Sequence, residues 1–464
     1  MKQADIFRSD SHGACMEAIS TQPLCPDTNG QEANLIQLYT DIPRQVIQGF
    51  GGAFTQSSSG IYEALKDSGK HEVLRLLFSS DGLADNCGRI PIGACDFSEG
   101  DYSYCDEADP SLSAFSMERD ARLIFPFIRD AMALEPALEL LASPWSPPAW
   151  MKTNSDMCHG GKLKEDCYGA FAEYLIRYLQ ACRSENIPVR FLTCQNEPKA
   201  VQIWESCTYT AQDEQRFIRD YLSPALKRAG LEDIGVVIWD HNKERSFLRA
   251  REILNCEDMR KLVRGIAFHW YSGDHFENLA LCREFFSEQE LMFTEGCVEL
   301  TTEKTVMGAK AQASCQKSGV ENAPWIFGEF YAHDIIGNLN AGMSRFLDWN
   351  LMLDTQGGPN HVGNYCSAPL ICDVRTGRVF PQPSYHAIAH FSRFLPRGSQ
   401  CIAVSRYTQE LEVAAAQTPD GSLIAVVLNS TDKMLPAVFS LLPQSLICKA
   451  DIPPHSLETW VFHA

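Results

Sequence analysis

RFLTCQNEP (residues 190–198) is a short apolar run that closes on a carboxylate, Glu197, just before a proline. A glutamate ending a buried strand is costly, because a desolvated carboxylate must be paired, protonated or put to use. Further on, LMFTEG (291–296) repeats the pattern and ends on Glu295. Singly, each has a plain reading: Glu197-Pro198 opens a helix or loop, and Glu295-Gly296 makes a turn. Together they suggest two carboxylates facing each other, the minimal equipment for cleaving a glycosidic bond.

These are two of eight β-rich runs between about residues 45 and 390. The others are VIQGFGGAFT (46–55), CGRIPIGACD (87–96), LELLASPW (138–145), DIGVVIWDHN (233–242), GIAFHWY (265–271) and RFLDWNLMLD (345–354). Several are apolar almost throughout, as strands covered on both faces of a parallel sheet must be. The stretches 168–186 and 213–230 between them are amphipathic with helical period, and the second stops at basic residues followed by Gly230. Eight β–α alternations predict an α/β chain built on a (β/α)8 TIM barrel. A doubly wound sheet competes, but GFGGAF (49–54) lacks the GxGxxG spacing and reads as a tight loop at a strand end.

After about residue 395 the texture becomes short strands punctuated by turns such as Pro419-Asp420-Gly421, which predicts an attached antiparallel β-sandwich. NLIQLYT (34–40) is expected to pair with it, while the first thirty residues carry no strong periodic signal. The predicted division is 1–44 as a segment joining the sandwich, 45–390 as the barrel and 391–464 as the C-terminal sandwich.

The chain has 464 residues and a net charge of −19, which argues against nucleic acid as a partner. No apolar run is long enough to span a bilayer, so membrane insertion is not expected. The N-terminus has no apolar signal segment, and 18 cysteines are scattered without a CxxC pair. Reduced, mostly buried thiols in a cytoplasmic protein are the expectation. Asn429-Ser430-Thr431 matches a glycosylation sequon by chance on this reading. The sequence leaves the oligomeric state open.

In a barrel of this kind the active site lies where the strands end. Here those ends carry Asp96, Trp145, Asn196-Glu197, Asp240-His241, His269-Trp270-Tyr271, Glu295 and Trp349-Asn350. Aromatics stack on the C–H faces of a sugar while Asp and Asn bond its hydroxyls, so a glycoside or oligosaccharide is the expected small-molecule partner. Strands four and seven lie across an eight-stranded barrel from each other, and a carboxyl separation of ~5–5.5 Å would mean retention of configuration. The residues alone do not say which glutamate is the acid. His241 and His269 lack HxxxH or HxH partners, so they read as hydrogen-bonded site histidines rather than metal ligands. A carbohydrate-binding barrel without catalysis is the reading of another class, and it has no need of two apposed carboxylates. An isomerase or aldolase would want a catalytic lysine or a phosphate site, and neither is evident.

Seven segments, in order, resemble glycoside hydrolase family 30, which includes the glucosylceramidases: 49–55, 89–98, 142–154, 195–198, 269–271, 293–296 and 348–360. The resemblance implies a retaining exo-β-glycosidase, most simply a β-glucosidase, with Glu197 as acid/base and Glu295 as nucleophile. It implies that Asn196 bonds the sugar 2-hydroxyl, and that Asp96 and Trp145 hold the 4- and 6-hydroxyl region. Arg89, His269 and Tyr271 would orient or tune the two glutamates, and Trp349 and Asn364 would complete the far wall. No cofactor or metal is implied. The same family holds β-xylosidases, β-fucosidases and endo-β-1,6-glucanases, which stand as alternative activities.

Overall fold

Eight parallel strands close into a barrel in the computed structural model, which describes residues 3–301 and 319–463. In chain order they are β1 (Gly49–Ala53), β2 (Cys87–Ile92), β3 (Glu139–Pro144), β4 (Val189–Thr193), β5 (Gly235–Asn242), β6 (Val263–His269), β7 (Glu290–Glu295) and β8 (Met343–Asp348), each paired with its sequence neighbours and β8 with β1. Each expected run overlaps one of them. Helices such as Tyr168–Ser184 cover the outside, burying one face while the other stays wet. The helix read at 213–230 spans Ala211–Arg228 and widens to a π-turn over Phe217–Leu222. Pro224, which has no N–H to continue the ladder, lies just after it.

Two expectations about this region need correction. GFGGA is not a loop but β1 itself. A Cβ at Gly51 would sit 1.8 Å from the Cys87 carbonyl oxygen, so these glycines let β1 and β2 approach. RFLDWNLMLD is not one strand: β8 ends at Asp348, and Asn350 turns the chain with a left-handed φ of 45°. Met352–Asp354 then joins a three-stranded sheet with Leu370–Asp373 and Arg378–Pro381.

The barrel interior is layered by the strand period of two. Cys87, Leu141, Phe191, Val237, Ala267, Met292 and Leu347 form one apolar cluster. Two residues further along five of these strands come Arg89, Ser143, Thr193, His269 and Thr294, all at most 1% exposed. β5 breaks the count, with Trp239 and Asp240 at φ 74° and 49° and the pairing with β6 slipping beside them. That bulge brings Asp240 rather than Trp239 into the polar layer.

The remaining strands form a ten-stranded ladder built from both ends of the chain. Leu35–Val46 pairs with Gln400–Arg406 and with Leu435–Leu442, as expected for NLIQLYT. Phe439 and Trp460 lie on strands that are not ladder neighbours, yet their ring centroids are 4.6 Å apart, so the ladder folds over as a sandwich. The first thirty residues do contribute strands: Gln3–Asp10 pairs antiparallel with Ser456–Phe462, burying Ala4 and Ile6. Asn429 is fully buried, its amide donating to the carbonyls of Lys433, Ile452 and Pro453, so the sequon is closed to modification. No helix among the described residues is long and apolar enough to cross a membrane.

Candidate active site

Above the polar layer, at the C-terminal ends of the strands, lies a cavity of about 160 Å³. Asp96, Trp145, Asn196, Glu197, Tyr271, Glu295, Trp349 and Asn364 all line it. Arg89 and His269 do not. They are fully buried beneath its floor, where they support the groups that do line it. A larger cleft of about 570 Å³ opens at the opposite end of the strands, among Glu139, Arg190, Asp233, Arg260 and Glu288. None of the candidate catalytic or sugar-binding residues lines it.

Asp240 organises the floor. Its Oδ2 accepts from Arg89 Nη2 (2.7 Å), Thr193 Oγ1 (2.8 Å) and Ser143 Oγ (3.0 Å). Its Oδ1 accepts from Thr294 Oγ1 (2.7 Å) and faces His269 Nε2 at 3.1 Å. Burial opposes this charge, but Arg89 and the hydrogen bonds hold the carboxyl well below the usual range. The sequence placed Asp240 at a strand end but gave no hint that five strands would converge on it.

Arg89 carries this order upward, with Nη1 donating to Glu295 Oε2 at 2.7 Å and Nη2 to Asn196 Oδ1 at 2.8 Å. The Asn196 carbonyl is thereby turned toward the guanidinium, leaving its NH2 for the cavity. Tyr271 Oη donates to the other oxygen, Glu295 Oε1, at 3.0 Å. Glu295 is thus gripped on both oxygens. Burial raises its carboxyl, and the His269 and Arg89 charges pull against that rise.

Glu197 is held differently. It lies beyond the end of β4 in a left-handed turn, φ 46°, with its N–H donating to the Asp240 carbonyl at 2.9 Å. Its Oε1 is 3.2 Å from both His241 Nδ1 and His269 Nδ1. Burial opposes ionisation of Glu197, yet the two imidazoles keep its carboxyl below the ordinary range. His269, between Glu197 and Asp240, is lowered by burial but raised more by the surrounding carboxylates, ending at about 9. His269 Nδ1 and Glu197 Oε1, 3.2 Å apart, are placed to share a proton. Glu197, His241 and His269 present three ligating atoms within 4.8 Å, a set able to hold a cation, but His269 is engaged by hydrogen-bonding distances on both ring nitrogens.

Trp145 and Trp349 stack with centroids 5.1 Å apart, and the Arg89 guanidinium lies 4.7 Å from the Trp145 ring. Asp96 Oδ2 accepts from Asn360 (3.2 Å) and Asn364 (3.3 Å). Burial, followed by the Glu295 charge, pushes the Asp96 carboxyl up to about 7. Gln202, Trp204, His241, Asn242, Cys297, Glu299 and Cys366 also line the cavity. Apart from His241, read from the sequence as a hydrogen-bonded site histidine, these residues had no role assigned from the sequence.

The description "Glycosyl hydrolase family 30 TIM-barrel domain" matches residues 47–395, and "Glycosyl hydrolase family 30 beta sandwich domain" matches 398–460. The lysosomal acid glucosylceramidase of Mus musculus is 31% identical over 92% of this chain and 83% of its own length. An endo-1,6-beta-D-glucanase of Neurospora crassa is 27% identical over 83% of this chain and 79% of its own. The crystal structure of SrfJ from Salmonella typhimurium superposes with a TM-score of 0.92 at 33% identity, covering all of both chains.

Proposed function

The chain belongs to glycosyl hydrolase family 30 and is a glycoside hydrolase, and from that premise we propose that it is a retaining, exo-acting β-glucosidase. The observation that carries the mechanism is the unequal grip on the two glutamates. Glu295 is fixed on both oxygens by donors, as an attacking carboxylate must be, whereas Glu197 is joined to a proton-bearing imidazole. Ionisation taken alone would favour Glu197 as the anion. The proton shared with His269 resolves this, because it returns to Glu197 as charge develops on the leaving oxygen.

In the first step a Glu295 oxygen attacks the anomeric carbon while the bond to the aglycone oxygen breaks. Glu197 protonates that oxygen, and the sugar remains as an ester on Glu295. In the second, Glu197 takes a proton from water, the resulting hydroxide attacks the anomeric carbon, and Glu295 leaves as carboxylate. The Asn196 amide donates to the 2-hydroxyl, a bond that strengthens as positive charge builds on the ring. The Trp145–Trp349 stack and the pinned Asp96 bound a small cavity that suits one terminal sugar.

The glucosylceramidase relative supports glucose as that sugar. Val201 and Ile203, 65% and 62% exposed on either side of the cavity-lining Gln202, support an aglycone with apolar surface. A second reading, endo-β-1,6-glucanase, is favoured by the Neurospora crassa relative. For the compartment we propose the cytoplasm, on the scattered cysteines without a paired framework.

A panel of aryl β-glucoside, xyloside, fucoside and galactoside, with an alkyl glucoside and β-1,6-glucan, tests the substrate. Highest kcat/KM on glucosides with glucose as sole product is expected, and oligosaccharide release from the glucan would replace the exo reading. For the mechanism, Glu295→Ala with azide should give a glycosyl azide of inverted configuration and Glu197→Ala one of retained configuration. Ordinary turnover by either variant refutes the assignment.

A further inference from the structure

Three loops on the cavity side of the barrel meet at a second cluster. Asp101 follows β2, Glu205 follows β4 and His361 follows the strand Met352–Asp354. His361 Nε2 is 3.4 Å from Asp101 Oδ1 and 3.9 Å from Glu205 Oε2, and the three ligating atoms lie within 4.8 Å of one another. Cys158 Sγ borders the group, 3.5 Å from Asp101 Oδ2. Glu205 is 1% exposed, and neither of its carboxylate oxygens has a hydrogen-bond partner. Both ring nitrogens of His361 are buried and equally without one. A carboxylate in that position is anomalous, since buried polar atoms are nearly always satisfied.

We propose that Asp101, Glu205 and His361 form a binding site for a divalent transition-metal cation of the zinc class. One imidazole and two carboxylates suit zinc better than calcium or magnesium, which want shells of oxygen. Bonds of ~2.0–2.1 Å in a tetrahedron put the ligand atoms roughly 3.3 Å apart, a small contraction from the distances here. Asp101, with half its side chain exposed, opens the site to solvent, and water or the Cys158 thiol is placed to complete the shell.

The ion would bind together the walls of the sugar cavity. Glu205 follows Trp204, which lines it, and the His361 N–H donates to the Asp96 carbonyl at 3.1 Å. The site is independent of which glycoside is cleaved. The competing account is a Glu205 that keeps its proton and hydrogen-bonds Asp101.

The full chain is dialysed against buffered Zn2+, freed of unbound ion and assayed for metal beside Glu205→Gln and His361→Ala. Because the thiols also bind zinc, the reading is a difference. Wild type should retain one more ion per chain than either variant, with affinity weakened by roughly tenfold or more in the variants. Zn2+ should raise the wild-type unfolding temperature, reversibly with a chelator. Equal zinc content in wild type and folded variants overturns the proposal in favour of the protonated pair. Should the variants fail to fold, wild type alone decides: a tetrahedral Co2+ spectrum with nitrogen and oxygen ligation supports the site, and its absence refutes it.

Discussion

Replacing Arg89 by methionine removes one guanidinium from five partners at once: Ser143 Oγ, the Thr294 carbonyl, Glu295 Oε2, Asn196 Oδ1 and Asp240 Oδ2. Breaking a buried ion pair by deleting one side costs about 3–5 kcal/mol, because the other charge is left behind. Asp240 keeps Ser143, Thr193, Thr294 and His269, which places the loss at the lower end, about 3 kcal/mol. Catalysis suffers separately. Among the described residues Glu295 keeps Tyr271 alone as a donor, and loss of a preorganised electrostatic contact of this sort costs about 10²–10³ in kcat. Since Arg89 is one of the charges restraining the rise of the Glu295 carboxyl, its removal should also move the acid limb of kcat/KM to higher pH. Arg89→Lys, which keeps the charge but not the fork, should recover part of each effect. Denaturant unfolding and pH–rate profiles of the three proteins give the answer. A methionine variant within about 0.5 kcal/mol of wild type, with an unshifted acid limb, would refute the reasoning.

The wild-type kcat/KM profile should be bell-shaped. Glu295 must be ionised to attack and burial raises its carboxyl above the ordinary glutamate range, so activity should fall on acidification at a pH above that range. Its alkaline limb should follow loss of the proton shared with His269, near pH 9, and a profile still rising there would contradict the relay. Glu197→Ala should leave glycosylation by dinitrophenyl glucosides largely intact while alkyl glucosides lose roughly 10²–10⁴, measured by pre-steady-state bursts and steady-state rates; equal losses would remove Glu197 from acid catalysis. Gly51→Ala should destabilise by about 3 kcal/mol, because its Cβ has only the Cys87 backbone to move against. Gly60→Ala, in the helix Gln56–Ala64 with open space around it, should instead stabilise by about 0.5–1 kcal/mol, and like signs in thermal unfolding would undo that account.

The barrel was legible because its strands are buried on both faces, which makes runs such as RFLTC and LMFT apolar regardless of neighbours. Periodicity fails where a strand is half-exposed, as in Gln3–Asp10, whose buried Ala4 and Ile6 alternate with partly exposed residues. It fails again at Trp239–Asp240, where two left-handed residues alter which side chain faces inward. The motifs brought the lining residues to view, but not the floor. That Asp240 would collect bonds from β2, β3, β4, β6 and β7 depends on the layer each strand contributes, which a one-dimensional pattern does not carry. Glu205 was similarly hidden, because its neighbours Asp101 and His361 are far away in sequence.

The central claim is that Glu295 carries the sugar between the two steps. Incubation with a dinitrophenyl 2-deoxy-2-fluoro-β-D-glucoside, whose fluorine slows release of the intermediate, followed by proteolysis and mass spectrometry, tests it most directly. The account predicts one fluoroglucosyl group per chain, on the peptide containing Glu295, with release of one dinitrophenolate. A label on Glu197, or full turnover without any covalent species, would contradict it.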